Sequence, residues 1–149
     1  MKKAMLLAAF FVACGPREEP AADTAAMAAG PAALTANELA GTWSGVVMAE
    51  GSDSVLTRFT VISPTGMDSK TVTEGQTDTV NVTHTIDGDS VVATSAPHVD
   101  QMLPGKPEVT WRAVGRMVGG KLVGVSTTML ASKPDSVLGR ARFEMTKNP

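Results

Sequence analysis

Residues 78–96 read DTVNVTHTIDGDSVVATSA, and this stretch decides the fold. Val80, Val82, His84 and Ile86 fall on alternate positions, with Thr79, Asn81, Thr83 and Thr85 between them. A strict period of two puts the first set on one face of an extended strand and the second on the other. Asp87-Gly88 then breaks the pattern, and a second β-branched run starts at residue 89. Asp-Gly suits a two-residue turn with positive φ, and so short a connection can join only antiparallel neighbours. The stretch therefore predicts a hairpin with an apolar face that carries a single imidazole.

The same alphabet extends in both directions. Val- and Thr-rich segments at 42–50, 54–63 and 68–75 precede the hairpin, and segments at 107–118, 121–131 and 136–147 follow it. The breaks are Gly51-Ser52-Asp53, Pro64-Thr65-Gly66, Gly75-Gln76-Thr77, Gly119-Gly120 and Lys133-Pro134-Asp135. One connection is longer, Pro97–Lys106. Eight short strands joined mostly by tight turns predict an all-β, up-and-down antiparallel meander. Closing it into a barrel removes the exposed edges. Ahead of the first strand, Thr35-Ala36-Asn37-Glu38 has the form of a capping box, and Gly41 ends the turn it starts. One short helical turn is expected there.

Gly41-Thr42-Trp43, directly after that turn, resembles the lipocalin and calycin superfamily. The resemblance implies an eight-stranded barrel whose tryptophan packs at the closed end beneath a basic residue of the last strand. Arg140 and Arg142 are the candidates for that cation over Trp43. The chain is also similar to small uncharacterised exported bacterial proteins with Gly-Thr-Trp starts and Asp-Ser-Val strand openings. That likeness implies no activity.

The N-terminus carries a different message. Met1-Lys2-Lys3 is basic, residues 4–13 (AMLLAAFFVA) are apolar, and Cys14-Gly15-Pro16 leads into charge. This is the layout of a secretory signal, and ten residues are too few to span a bilayer as a helix. Phe11-Val12-Ala13-Cys14 resembles the bacterial lipobox. The resemblance implies cleavage before Cys14 and its acylation, hence an exported protein anchored to the cell envelope. Gly15, where an Asp would favour inner-membrane retention, implies the outer membrane. Residues 1–13 are accordingly read as signal peptide, 14–34 as a lipidated flexible tether rich in Ala, Pro and Gly, and 35–149 as the barrel domain.

Composition narrows the function. Cys14 is the only cysteine, so no disulfide framework exists and the domain must stand on its core. Losing Lys2 and Lys3 with the signal takes Lys+Arg from 13 to 11 against 15 Asp+Glu, a net charge of −4. That balance argues against nucleic acid and against anionic membrane surfaces as partners. The membrane is met through the lipid on Cys14 instead.

No residue set points to catalysis. Gly-x-Ser-x-Gly, a Cys–His pair and a placed carboxylate pair are all missing, and Gly119-Gly120 is followed by no phosphate-loop lysine. Two histidines off ligand spacing offer no metal site, and no cofactor is expected. Asp53-Ser54-Val55, Asp89-Ser90-Val91 and Asp135-Ser136-Val137 repeat a phrase that reads as turn chemistry, with a ligand motif as the alternative. Candidates to line a ligand space are His84, Val82, Trp111, Met117 and Phe143. His84 could bond a ligand or be a satisfied core histidine. Ala113, Gly115, Gly124, Gly139 and Ala141 could leave a cavity or permit close packing. The leading expectation is a tethered, non-enzymatic barrel that holds a small apolar or amphipathic molecule. The alternative is an envelope protein-interaction or protease-inhibitor-like module without such a ligand.

Overall fold

The structure is a computed structural model and describes residues 33–149. The signal peptide, Cys14 and nearly all of the expected tether lie outside the described residues. The elements are α1 (Ala36–Leu39), β1 (Gly41–Ala49), β2 (Val55–Ser63), β3 (Asp68–Thr73), β4 (Thr79–Asp87), β5 (Ser90–Ser95), β6 (His98–Val99), β7 (Glu108–Val118), β8 (Lys121–Leu130) and β9 (Lys133–Lys147). Each long strand pairs antiparallel with the next, β5 pairs with β7, and β9 returns to β1. Eight strands thus close into a barrel. β6 is a two-residue stub paired with the start of β7 inside the long connection.

The turns behave as their residues require. Gly119 and Gly120 carry φ of +57° and +80°, between Val118 and its partner Lys121. The β4–β5 turn falls one residue later than the Asp-Gly signal suggests: Asp87 pairs with Ser90, so Gly88-Asp89 makes the corner. The β8–β9 turn differs more. It is Ala131-Ser132, and Lys133-Pro134-Asp135 belongs to β9. Leu130 pairs with Lys133 and Met129 with Val137, so residues 134–136 have no partner on β8. Pro134, which has no N–H to donate, is tolerated because the ladder is already open there.

One end of the barrel is plugged. The Thr35 hydroxyl accepts from the Glu38 N–H, and the Glu38 carboxylate accepts from the Thr35 N–H at 2.8 Å, which completes the capping box. The turn it starts drops Leu39 into the core. Leu34, assigned by sequence to the tether, also belongs to the domain: it is buried and its N–H donates to the Gly88 carbonyl. Trp43 is 1% exposed, and its Nε1 donates to the Leu39 carbonyl at 2.9 Å.

Two aromatic rings fill the space above this plug, and glycines make room for them. Gly115, Gly124 and Phe143 lie in one row across β7, β8 and β9. A Cβ on Gly115 would sit 2.7 Å from the Phe143 Cζ, and one on Gly124 would sit 2.7 Å from the Phe143 Cε1. Gly45, opposite Phe59, accommodates that ring in the same way on β1. A ring laid over a strand glycine covers backbone that the missing side chain leaves bare. These glycines therefore serve close packing, not empty space.

Candidate functional site: the barrel lumen

The interior is hollow, with a lining that runs from Leu39 and Trp43 at the floor past Phe59 and Phe143 to the mouth. The cavity measures about 360 Å³, within the size range of small-molecule pockets. At ~30 Å³ per water it equals roughly a dozen waters. It opens at the end opposite α1, where the β1–β2, β3–β4, β5–β7 and β8–β9 connections cluster.

Alternation places the walls. On β4, Val80, Val82 and His84 face inward, as the opening stretch predicts. Trp111, Ala113 and Gly115 of β7 and Phe143 and Met145 of β9 complete the apolar side. Met117 differs from its expected role. It packs against the core near the closed end and is not among the residues lining the lumen.

His84 is held on both sides by protein. Its Nδ1 lies 3.0 Å from the Gly66 carbonyl and its Nε2 lies 3.0 Å from the Ser69 Oγ. The carbonyl can only accept, so Nδ1 donates to it, and Nε2 shares a hydrogen bond with the serine hydroxyl. The imidazole clamps β4 to β3 and to the turn after β2. Its hydrogen-bonding capacity is used in doing so.

The sequence reading missed a polar stripe. On β3, Ser69, Thr71 and Thr73 point inward while Asp68, Lys70 and Val72 point out. Ser126 and Thr128 of β8 add hydroxyls to the wall. The alternation of residues 68–73 carries this signal, since every second residue is a hydroxyl. Charged side chains among the lining residues are confined to Asp100 and Arg140, at the mouth. The lumen thus offers an apolar body and a row of uncharged hydrogen-bonding groups.

The mouth has an apolar lip made by irregularities in the ladder. Val47 pairs with Thr57 and Met48 with Val55, so Leu56 is an extra residue. Thr128 pairs with Gly139 and Met129 with Val137, so Leu138 is another. Such bulges re-aim side chains at barrel rims. Leu56 and Leu138 line the mouth and stay 53% and 42% exposed. The long connection bends over the opening and adds His98, Asp100, Met102 and Leu103. His98 is half-buried there, its Nδ1 on the Ala96 carbonyl at 3.0 Å.

The expected cation over Trp43 is a different residue. Lys147 pairs directly with Trp43, and its Nζ stands 5.7 Å from the indole centroid and 3.3 Å from the Glu38 carbonyl. Arg142 pairs with Met48 toward the opposite end and donates to the Ser52 carbonyl and the Asp53 carboxylate. Arg140 lies still nearer the mouth. β9 runs fifteen residues, and only its last one reaches the floor level of Trp43.

Among the described residues no group of three His, Cys, Asp or Glu could hold a metal ion, and no helix is long and apolar enough to cross a membrane. Comparison with protein-family models, with curated proteins and with solved structures finds no match to this chain.

Proposed function

We propose that the protein is an exported lipoprotein, anchored through Cys14, whose lipocalin-like barrel binds a small apolar or amphipathic molecule without chemical conversion. The observation that carries the binding reading is the lumen: about 360 Å³, apolar on most walls and open at one end. A domain of this size that left such a space empty would forgo the dispersion contacts that a packed core supplies. The hydroxyls of Ser69, Thr71, Thr73, Ser126 and Thr128 suit a guest with a hydroxyl, carbonyl or ether on one edge. The scarcity of charge inside suits a neutral body, because an ion would leave water without a partner.

A second reading, a protein-interaction module, draws support from the exposed lip of Leu56, Met102 and Leu138. Native mass spectrometry of protein purified gently from its own host separates the two. Added mass of a small molecule supports the carrier, whereas a co-purified protein with an unloaded lumen supports the module. In vitro, an apolar naphthylamine dye should brighten on binding, and Ala93→Phe, which fills the lumen, should abolish the signal while the far-ultraviolet spectrum stays that of the wild type. Unchanged dye binding in that variant refutes the lumen as the site. Replacing Cys14 with Ser should move the protein out of the membrane fraction, and retention there would sink the anchor.

A further inference from the structure

Among residues 33–149 there are five arginines: Arg58, Arg112, Arg116, Arg140 and Arg142. Four of them lie on the outer faces of β7 and β9. Trp111 and Ala113 point inward, so Arg112, Val114, Arg116 and Val118 point outward along β7. The registers align Arg112 with Thr127 and Arg140, and Val114 with Val125 and Arg142. Arg112, Arg116 and Arg140 are exposed, and among the described residues none of the three joins an ion pair. Arg142 is held by Asp53, and Glu144 by Lys121. Strand spacing puts Arg112 and Arg140 about 10 Å apart, and Arg112 and Arg116 about 13 Å apart. Five acidic residues lie on the opposite side, Asp68, Glu74, Asp78, Asp87 and Asp89 of β3, β4 and their turns, whereas β7–β9 carry Glu108, Asp135 and Glu144 against the four arginines and Lys121, Lys133 and Lys147. The net charge averages over two unlike walls.

We infer that the β7–β9 wall rests against anionic lipid headgroups of a bilayer. Arginine matches phosphodiester oxygens in a bidentate way. Val114 and Val125 stand exposed between the arginines, at 39% and 45%, where a headgroup layer can take up apolar surface that water cannot. The wall is convex and runs from the Arg112–Arg140 row at the mouth to Arg116 near the closed end, so it meets a flat, deformable interface along the line of β7. The chain outside the described residues reaches far enough. Nineteen residues from Cys14 to residue 32 span at most about 60 Å, twice the ~30 Å of a nine-residue strand. The barrel can therefore lie on its side beside its anchor. The inference uses the anchor reading only for this reach, and it does not depend on what the lumen holds.

The chain from Gly15 onward keeps every described element and lacks the lipid and the apolar leader, so it tests the wall alone. It should co-sediment with phosphatidylcholine vesicles containing phosphatidylglycerol, less so as salt rises, and not with phosphatidylcholine alone. Each arginine at an anionic surface contributes about fivefold in affinity. The double variant Arg112→Glu/Arg116→Glu should bind about 25-fold more weakly or worse, and Arg58→Glu/Lys70→Glu on the other side should bind as the wild type does. Naphthylamine dye uptake by both variants separates this result from any failure of the lumen reading. Equal sedimentation of the two double variants overturns the inference. So does a wild-type chain that ignores anionic vesicles, including one whose arginine wall crosslinks to an acidic protein instead.

Discussion

Gly115 and Gly124 face each other across β7 and β8 under the same phenyl ring, yet alanine should cost very different amounts at the two positions. At Gly115 the first obstacle to a Cβ is the Phe143 Cζ at 2.7 Å, and the next is the Val123 carbonyl at 3.1 Å. The ring borders the hollow lumen and can swing into it. The cost is then the mild end of overpacking, about 1 kcal/mol. At Gly124 the nearest obstacles are the Val114 carbonyl and the Gly115 Cα, which belong to the neighbouring strand. Only opening the β7–β8 ladder relieves them, so Gly124→Ala should cost about 3 kcal/mol. For a domain of this size that is a fall in Tm of about 12 °C, against about 4 °C for Gly115→Ala. Phe143→Leu separates the causes. It removes the ring atom that Gly115→Ala meets, so that pair should couple favourably by about 1 kcal/mol, whereas Phe143→Leu with Gly124→Ala should stay within about 0.5 kcal/mol of additive. Urea unfolding followed by Trp43 and Trp111 fluorescence measures all five variants. Equal losses at the two glycines, or full rescue of Gly124→Ala by Phe143→Leu, would refute the reasoning.

Two further predictions concern the polar groups that tie the barrel together. His84→Leu strands the Gly66 carbonyl and the Ser69 hydroxyl and should lower stability by about 1–3 kcal/mol in the same urea assay. The dye should still bind, since His84 spends its nitrogens on protein. The Glu38 carboxyl is held below the usual glutamate range, chiefly by the Thr35 hydroxyl, then by the Thr35 N–H and the charge of Lys147, with burial opposing. A carboxyl whose pKa falls on folding stabilises at pH above its unfolded value and loses that effect as pH drops through the folded value. Glu38→Gln should therefore lower Tm at neutral pH and match the wild type once the carboxylate is protonated. A gap that persists unchanged at low pH would show that charge is not the cause.

The eight strands, the short helical turn and most inward faces were legible because their cause is local. Alternation of Val80, Val82 and His84 needs only the period of an extended chain, and Gly119-Gly120 needs only its own φ angles. Thr35-Ala36-Asn37-Glu38 likewise contains both halves of its cap. The break at Pro134 misled because proline usually interrupts a strand, and nothing local reveals that the ladder there is already open.

What only the tertiary structure decided depends on register between strands distant in sequence. Leu56 and Leu138 point into the mouth because each is one residue too many for its partner strand. Lys147 covers Trp43, and Arg142 does not, because β9 runs the full height of the wall before pairing with the start of β1. Gly115 and Gly124 are packing residues because Phe143 lands over them. Likewise the arginines of β7 and β9 form one face only once β8 lies between them. By itself the sequence determined which residues face in and which face out. The pairing of strands determined which of them meet, and with that the size of the lumen and the uneven charge of its walls.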